Sequence, residues 1–145
     1  MERLRREASL ARTSLGFAPS LIIEVDGTPI TDDQAQAELI AQIDDRVGAD
    51  IADDVVAVVR EGMVNAAKHA KASSVRAHVS VLGAGFTGRI VVDVTDDGLG
   101  VPASLSRRSG LGNLAARARR HGGTFSIGRT ESGTGTQVSW QVPLT

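Results

Sequence analysis

The chain has 145 residues, 16 Lys and Arg against 17 Asp and Glu, a net charge of -1, and no cysteine. That length makes one domain able to bury about two thirds of its extended-chain surface, and the charge balance excludes a general nucleic-acid binder, which needs a basic footprint. The missing cysteines exclude a disulfide framework, a thiolate zinc site and a cysteine nucleophile, and with no leader pattern and no apolar run of bilayer length a cytoplasmic chain without direct membrane insertion is expected.

From Glu2 to Leu15 the chain is rich in Arg, Leu and Ala, with Gly16 as a stop, which predicts a short helix. Leu21 to Val25 predicts a strand between Pro19 and an Asp26-Gly27 turn. Thr31-Asp32-Asp33 offers caps for a second helix through about Val47, closed at Gly48 and peripheral by its low apolar content.

From Ile51 a stronger pattern begins. Val55, Val59, Gly62, Met63, Ala66 and Ala70 recur at helical spacing and mark a buried face. Glu61, Asn65, Lys68 and His69 fall on a second stripe of the same helix, flanked by apolar residues. Lys68 and His69 alone read as an ordinary solvated face. A Glu and an Asn one turn apart within Val-Arg-Glu-Gly-Met-Val-Asn-Ala-Ala are less easily left to solvent, because so apolar a helix docks most of its circumference.

Val75, Ala77, Val79 and Val81 then alternate with polar residues, Gly83-Ala84-Gly85 turns the chain, and Ile90, Val92 and Val94 alternate up to Asp96. This predicts a hairpin whose second strand ends in Asp96-Asp-Gly-Leu-Gly100. Val101 to Ser109 reads as a polar loop, and Gly110-Leu111-Gly112-Asn113 leads into a helix from about Leu114 to His121, closed by Gly122-Gly123. Phe125 and Ile127, then Val138, Trp140 and Val142, mark two more strands joined around Glu131-Ser132-Gly133. The sum is an α+β, two-layer sandwich: a mixed, mostly antiparallel sheet with helices on one face and no β-α-β alternation of the Rossmann kind. Gly110-x-Gly112 is accordingly no dinucleotide fingerprint, lacking the preceding strand and the third glycine.

Three polar features need a common explanation: the Glu61/Asn65 stripe, the Asp96 turn and the glycines before a helix. Free N–H groups at a helix start favour phosphate, and Arg107 and Arg108 precede this one. The amide oxygen of Asn65 is a hard donor suited to Mg²⁺, which keeps waters and takes one or two protein oxygens beside phosphate. A buried carboxylate at Asp96 can accept from an exocyclic amino group, which selects adenine over guanine. The bland alternative for the last is a strand-ending turn rich in Asp and Gly.

Taken together these stretches resemble the ATP-binding catalytic domain of a sensor histidine kinase, in the superfamily shared with DNA gyrase, Hsp90 and MutL. Glu61-Gly-Met-Val-Asn65-Ala-Ala-Lys68-His69 is similar to its N box, Asp96-Asp-Gly-Leu-Gly100 to its G1 box, Gly110-Leu111-Gly112-Asn-Leu to its G2 box, and Gly133-Thr-Gly135-Thr136 to its closing Gly-Thr motif. The resemblance covers roughly residues 15 to 145 and implies the Bergerat ATP-binding fold. Gly-Leu-Gly-Asn-Leu with Arg117-Ala118 and Gly122-Gly123, and a short lid, looks most like the subfamily of nitrate sensors and mycobacterial redox and hypoxia sensors.

The resemblance implies Asp96 on the adenine amino group, Asn65 on Mg²⁺, Glu61 as the catalytic acidic partner and Lys68 near phosphate. It further implies Gly98, Gly100, Gly110 and Gly112 as backbone contacts, Thr136 near adenine through water, and Leu111 and His69 within the ATP-binding set. Residues 1–16 are expected as a helix leading in from a dimerisation domain, and 17–145 as the catalytic domain. His69, His78 and His121 lack the acidic neighbour and helical setting of a phosphoacceptor and read as surface or packing histidines. The acceptor is therefore expected on a dimerisation domain outside this chain, either in the same parent chain or in another protein, with a homodimeric full-length parent that passes phosphate to a response regulator and a monomeric isolated domain. The alternatives are a serine kinase of the anti-sigma-factor type and a catalytically silent nucleotide-binding module.

Overall fold

The computed structural model describes residues 2–17, 19–30, 46–66, 73–83, 87–98, 111–129 and 135–144. In chain order its elements are α1 (Glu2–Leu15), β1 (Ser20–Val25), β2 (Thr28–Pro29), α2 (Ala49–Asn65), β3 (Val75–Leu82), β4 (Arg89–Asp96), α3 (Leu111–Arg120), β5 (Thr124–Arg129) and β6 (Thr136–Pro143). The strands form one sheet in the order β2-β1-β3-β4-β6-β5. Every neighbouring pair is antiparallel except β1 and β3, which run parallel from Ser20 opposite Arg76 to Val25 opposite Val81. The expected mixed, mostly antiparallel sandwich is thus the observed architecture. The single parallel pair is the part that alternation alone does not reveal, and its connection contains α2.

The period-two pattern sorts the two sheet faces. On β3, β4 and β6 the buried residues are Val75, Ala77, Val79 and Val81, then Ile90, Val92, Val94 and Asp96, then Thr136, Val138, Trp140 and Val142. All but Asp96 and Thr136 are apolar, and those two occupy the same end of neighbouring strands, opposite each other in the ladder. Against this face α2 lays Val55, Val58, Val59, Gly62, Met63 and Ala66, while α3 adds Leu114 and Ala118. Trp140 is fully buried, and its ring N–H donates to the Leu114 carbonyl at 3.1 Å, so the largest core side chain also ties α3 to the sheet. Gly62 is where α2 comes nearest: a Cβ there would stand 2.8 Å from the Val94 side chain.

The remaining elements follow local chemistry. Asp26 (φ 50) and Gly27 (φ 86) make a two-residue turn with both residues left-handed, as tight hairpins require, and β2 is its short return strand. The expected helix end at Gly16 is present, with φ 81 and its N–H donating to the Arg12 carbonyl at 2.9 Å. Helix α1 packs on α2 through Leu4 and two ion pairs, Arg3–Asp53 at 2.5 Å and Arg60–Glu7 at 2.9 Å. The expected helix from Thr31 lies outside the described residues up to its last two, Arg46 and Val47, and Gly48 (φ 81) closes it. Helix α3 begins at Leu111, three residues before the expected Leu114. The glycine at 112 therefore lies inside the first turn, where N–H groups lack intrahelical partners in any case.

Candidate functional site

The inward phase of β4 continues one residue past its apolar run, so Asp96 points the same way as Val94 and is 8% exposed. Its Oδ1 accepts the Gly98 N–H at 2.9 Å and the Thr136 N–H at 3.3 Å. Burial pushes its pKa above the ordinary carboxylate value, the two N–H donors work against that, and the neighbouring Asp97 charge adds to it. Gly135 supports this arrangement with φ +86 and an approach so close that a Cβ would lie 2.1 Å from the Asp96 carbonyl oxygen. The second glycine of Gly133-Thr-Gly135-Thr136 is thus needed for a close backbone crossing that sequence reading names only as a motif.

On the helix side, the Gly62–Val94 contact seats α2 two residues short of Asp96, and Asn65 follows one turn later. Asn65 is 4% exposed and its Nδ2 has no hydrogen-bond partner among the described residues. Thr136 is equally buried and its Oγ1 has none either. A buried polar atom left unpaired costs about 1–3 kcal/mol, so these two, one of them on the residue whose backbone N–H meets Asp96, mark positions suited to a polar ligand. Glu61 sits on the same helix in a half-buried position.

Of the other predicted residues, Gly98 is buried and its N–H is engaged on Asp96, which leaves its missing side chain as the feature open to a ligand. Leu111 and Gly112 are the first two residues of α3, which starts three residues earlier than expected. Lys68, His69, Gly100, Gly110 and the 101–109 loop lie outside the described residues. The expected histidine roles change in part. His78 lies 3.2 Å from Glu24 on the outer sheet face, while His121 joins a part-buried ionic cluster around Asp54, its Nε2 2.6 Å from Asp54 Oδ2.

Two residues near the site escaped sequence reading. Asp97 turns away from the pocket and caps the chain before β3: Oδ1 accepts the N–H groups of Ser73 at 2.7 Å and Ser74 at 2.8 Å, and Oδ2 accepts the Ser73 hydroxyl at 2.5 Å. These bonds lower its pKa from 3.8 to about 2. A group depressed on folding contributes stability above its unfolded pKa and loses it as pH falls towards the folded one. The stability difference between the parent and Asp97→Ala is therefore expected to be constant above about pH 4 and to shrink towards pH 2, as read by urea unfolding at a series of pH values. A difference independent of pH across that window would show that the carboxylate charge is not what the Ser73-Ser74 turn uses. Asp54, the other residue, is fully buried on α2.

Residues 50–145 match the family described as Histidine kinase-, DNA gyrase B-, and HSP90-like ATPase. The chain belongs to this family. Among solved structures it is similar to the histidine kinase domain of the blue-light activated histidine kinase EL346 from Erythrobacter litoralis, at 22% identity and TM-score 0.59 over 97% of this chain and 59% of that one. It is also similar to the ATP binding domain of PrrB from Mycobacterium tuberculosis, at 21% identity and TM-score 0.59 over 99% of this chain and 93% of that one. The mycobacterial sensor histidine kinase MprB gives 17% identity and TM-score 0.55 over 98% and 92%. At such identities the likeness is one of fold, and the chain spans about 59% of the kinase domain from Erythrobacter. For this ATPase-family member ATP is the ligand to test against the geometry, and the orphaned Asn65 amide and Thr136 hydroxyl beside Asp96 fit it. Among the described residues no group of three or more His, Cys, Asp or Glu is placed to hold a metal, and no helix is long and apolar enough to cross a membrane. Any Mg²⁺ would rest on Asn65 oxygen together with phosphate oxygens and water, the ligand set this ion prefers.

Proposed function

We propose that this chain is the ATP-binding catalytic domain of a two-component sensor histidine kinase of the nitrate-sensor and mycobacterial redox-sensor subfamily. The observation that carries the reading is the buried Asp96 carboxylate, one oxygen of which accepts two backbone N–H groups; we assign its second oxygen to the ligand's amino group. Asp96 takes the adenine amino group, Thr136 Oγ1 meets the ring through water, and Asn65 supplies an oxygen for Mg²⁺, which would offset phosphate charge. Glu61 polarises the reacting centre and Lys68 lies near phosphate, with Gly98, Gly100, Gly110 and Gly112 as backbone contacts and His69 and Leu111 within the ATP-binding set. Residues 1–16 lead in from a dimerisation domain and 17–145 are the catalytic unit, in a cytoplasmic, homodimeric parent that signals to a response regulator.

Phosphoryl transfer is mostly positioning and electrostatic stabilisation, so a correctly held γ-phosphate achieves little until an acceptor nitrogen is brought in line. His78 is on a strand facing Glu24 and His121 is paired with Asp54, so neither is placed to receive it. The chain alone is expected to bind ATP without labelling itself from γ-labelled ATP, and to label a histidine-bearing helical dimerisation domain supplied in trans. Phosphohistidine is acid-labile and phosphoserine is not. Strong self-labelling, or an acid-stable product on a partner protein, would overturn the histidine-kinase reading and favour a serine kinase.

A further inference from the structure

Asp54 is the one fully buried charged residue among those described, and nothing in the ATP site uses it. Its neighbours Asp50 and Asp53 are exposed. Three donors converge on its carboxylate: Arg117 on Oδ1, and Arg120 at 2.5 Å and His121 at 2.6 Å on Oδ2. All three come from the last turn of α3 or the residue after it. Burial alone would raise the pKa of Asp54, but the bonds from Arg117, Arg120 and His121, with the Arg120 charge, hold it below 3.8.

We propose that Asp54 is a positioning residue for the phosphate end of the site: by clamping the end of α3 to α2, it sets where the start of α3 at Leu111 stands relative to Glu61 and Asn65. The inference rests on the ATP reading above. Seven and eleven residues separate Asp54 from Glu61 and Asn65, which is about two and three helical turns, so the three side chains share one stripe of α2. Helix α3 is a ten-residue rod. Its far end is fixed by a Schellman closure in which Gly122 (φ 76) donates to the Arg119 carbonyl at 3.0 Å and Gly123 to the Ala118 carbonyl at 2.8 Å. A Cβ on Gly123 would stand 2.0 Å from the Gln141 carbonyl oxygen, so the chain beyond α3 has no room to slide.

Apolar packing of Leu114 and Ala118 and the Trp140 N–H on the Leu114 carbonyl seat α3 on the sheet, but neither is a directional link between α3 and α2. Three hydrogen bonds to one buried carboxylate are. A buried ion cluster is weak evidence for stability, because desolvation offsets much of the attraction, and its better-attested use is to specify one arrangement among several. Here the arrangement specified is the spacing between the helix that carries Glu61 and Asn65 and the helix whose start faces phosphate.

The test uses the whole chain in calorimetric titrations with Mg-ATP and, separately, with adenosine, which reaches Asp96 but has no phosphates. Asp54→Asn keeps shape and removes charge; it is expected to bind adenosine within about two-fold of the parent and ATP about ten-fold or more weaker, since a displacement of about 1 Å at a distance is enough to lose that much. Arg120→Gln, at a side chain 59% exposed, removes one of three donors and is expected to show the same selective loss at about three-fold; it also carries the test if Asp54→Asn does not fold. An unchanged ATP-to-adenosine ratio in a folded variant, whether both affinities fall together or only the melting temperature moves, overturns the clamp and leaves ATP binding standing. A parent that binds neither ligand overturns the ATP reading and the clamp with it.

Discussion

Glu61→Gln is expected to slow phosphoryl transfer to a supplied acceptor domain on the order of a hundred-fold or more while leaving Mg-ATP affinity within about three-fold, the signature of an interaction made chiefly in the transition state. Position 61 is half-buried and adjoins Gly62, whose contact with Val94 fixes this turn of α2 against the strand that ends in Asp96. On the proposed reading the side chain works from a fixed base. Gln keeps the size and one carbonyl oxygen and loses only the charge. Single-turnover transfer from γ-labelled ATP, with calorimetry alongside, separates the two effects. A variant that transfers at the parent rate assigns Glu61 to structure, and one that loses ATP affinity in proportion assigns it to binding.

Asp96→Asn is expected to weaken ATP ten- to a hundred-fold, from the loss of one charge-assisted hydrogen bond of about 1.5–3 kcal/mol. Asn is the informative substitution, because its remaining oxygen still accepts the Gly98 and Thr136 N–H groups. On the proposed reading, its amide nitrogen would replace the oxygen assigned to the adenine amino group, so that donor would face donor. Asp96→Ala should show the same loss together with lower stability, since it strands two buried N–H groups at about 1–3 kcal/mol each. GTP, with a carbonyl where ATP has an amino group, should bind the parent far more weakly than ATP. Equal affinity for the two nucleotides, or an Asn variant with parental ATP affinity, removes Asp96 from base recognition.

Much of this site was legible because its residues sit at phase positions of regular elements. Asp96 extends the inward register of Ile90, Val92 and Val94, so its burial could be read from spacing, whereas Asn65 lies on a second stripe with Glu61, and its burial was suggested only by the apolar residues around that stripe. The parts that were not legible depend on pairs distant in sequence. Nothing local to Asp54 distinguishes it from Asp53 one residue earlier; only the arrival of α3 makes one a buried clamp and the other a surface partner of Arg3. Asp97 looked like the second half of an Asp-Asp turn, yet its partners are Ser73 and Ser74 on the far side of a hairpin. The start of α3 was misplaced by three residues because glycines at its head read as a loop, whereas first-turn N–H groups have no helical bond to lose.

The single parallel pair in the sheet has a kinetic consequence. Strands β3 and β4, and likewise β5 and β6, are neighbours in sequence and meet by closing short loops, whereas β1 finds β3 only after the intervening chain, α2 included, has been gathered in. Closing that longer loop costs more chain entropy before any contact compensates for it, which favours late docking of β1 and its hairpin partner β2. The same order in reverse makes the α1-β1-β2 segment the first to open from the native state. Asp96 and Thr136 lie across β4 and β6, away from that edge. Amide exchange in residues 20–29 should therefore run faster than in β4 and β6, and the amino-terminal segment can breathe without the Asp96–Thr136 pair coming apart.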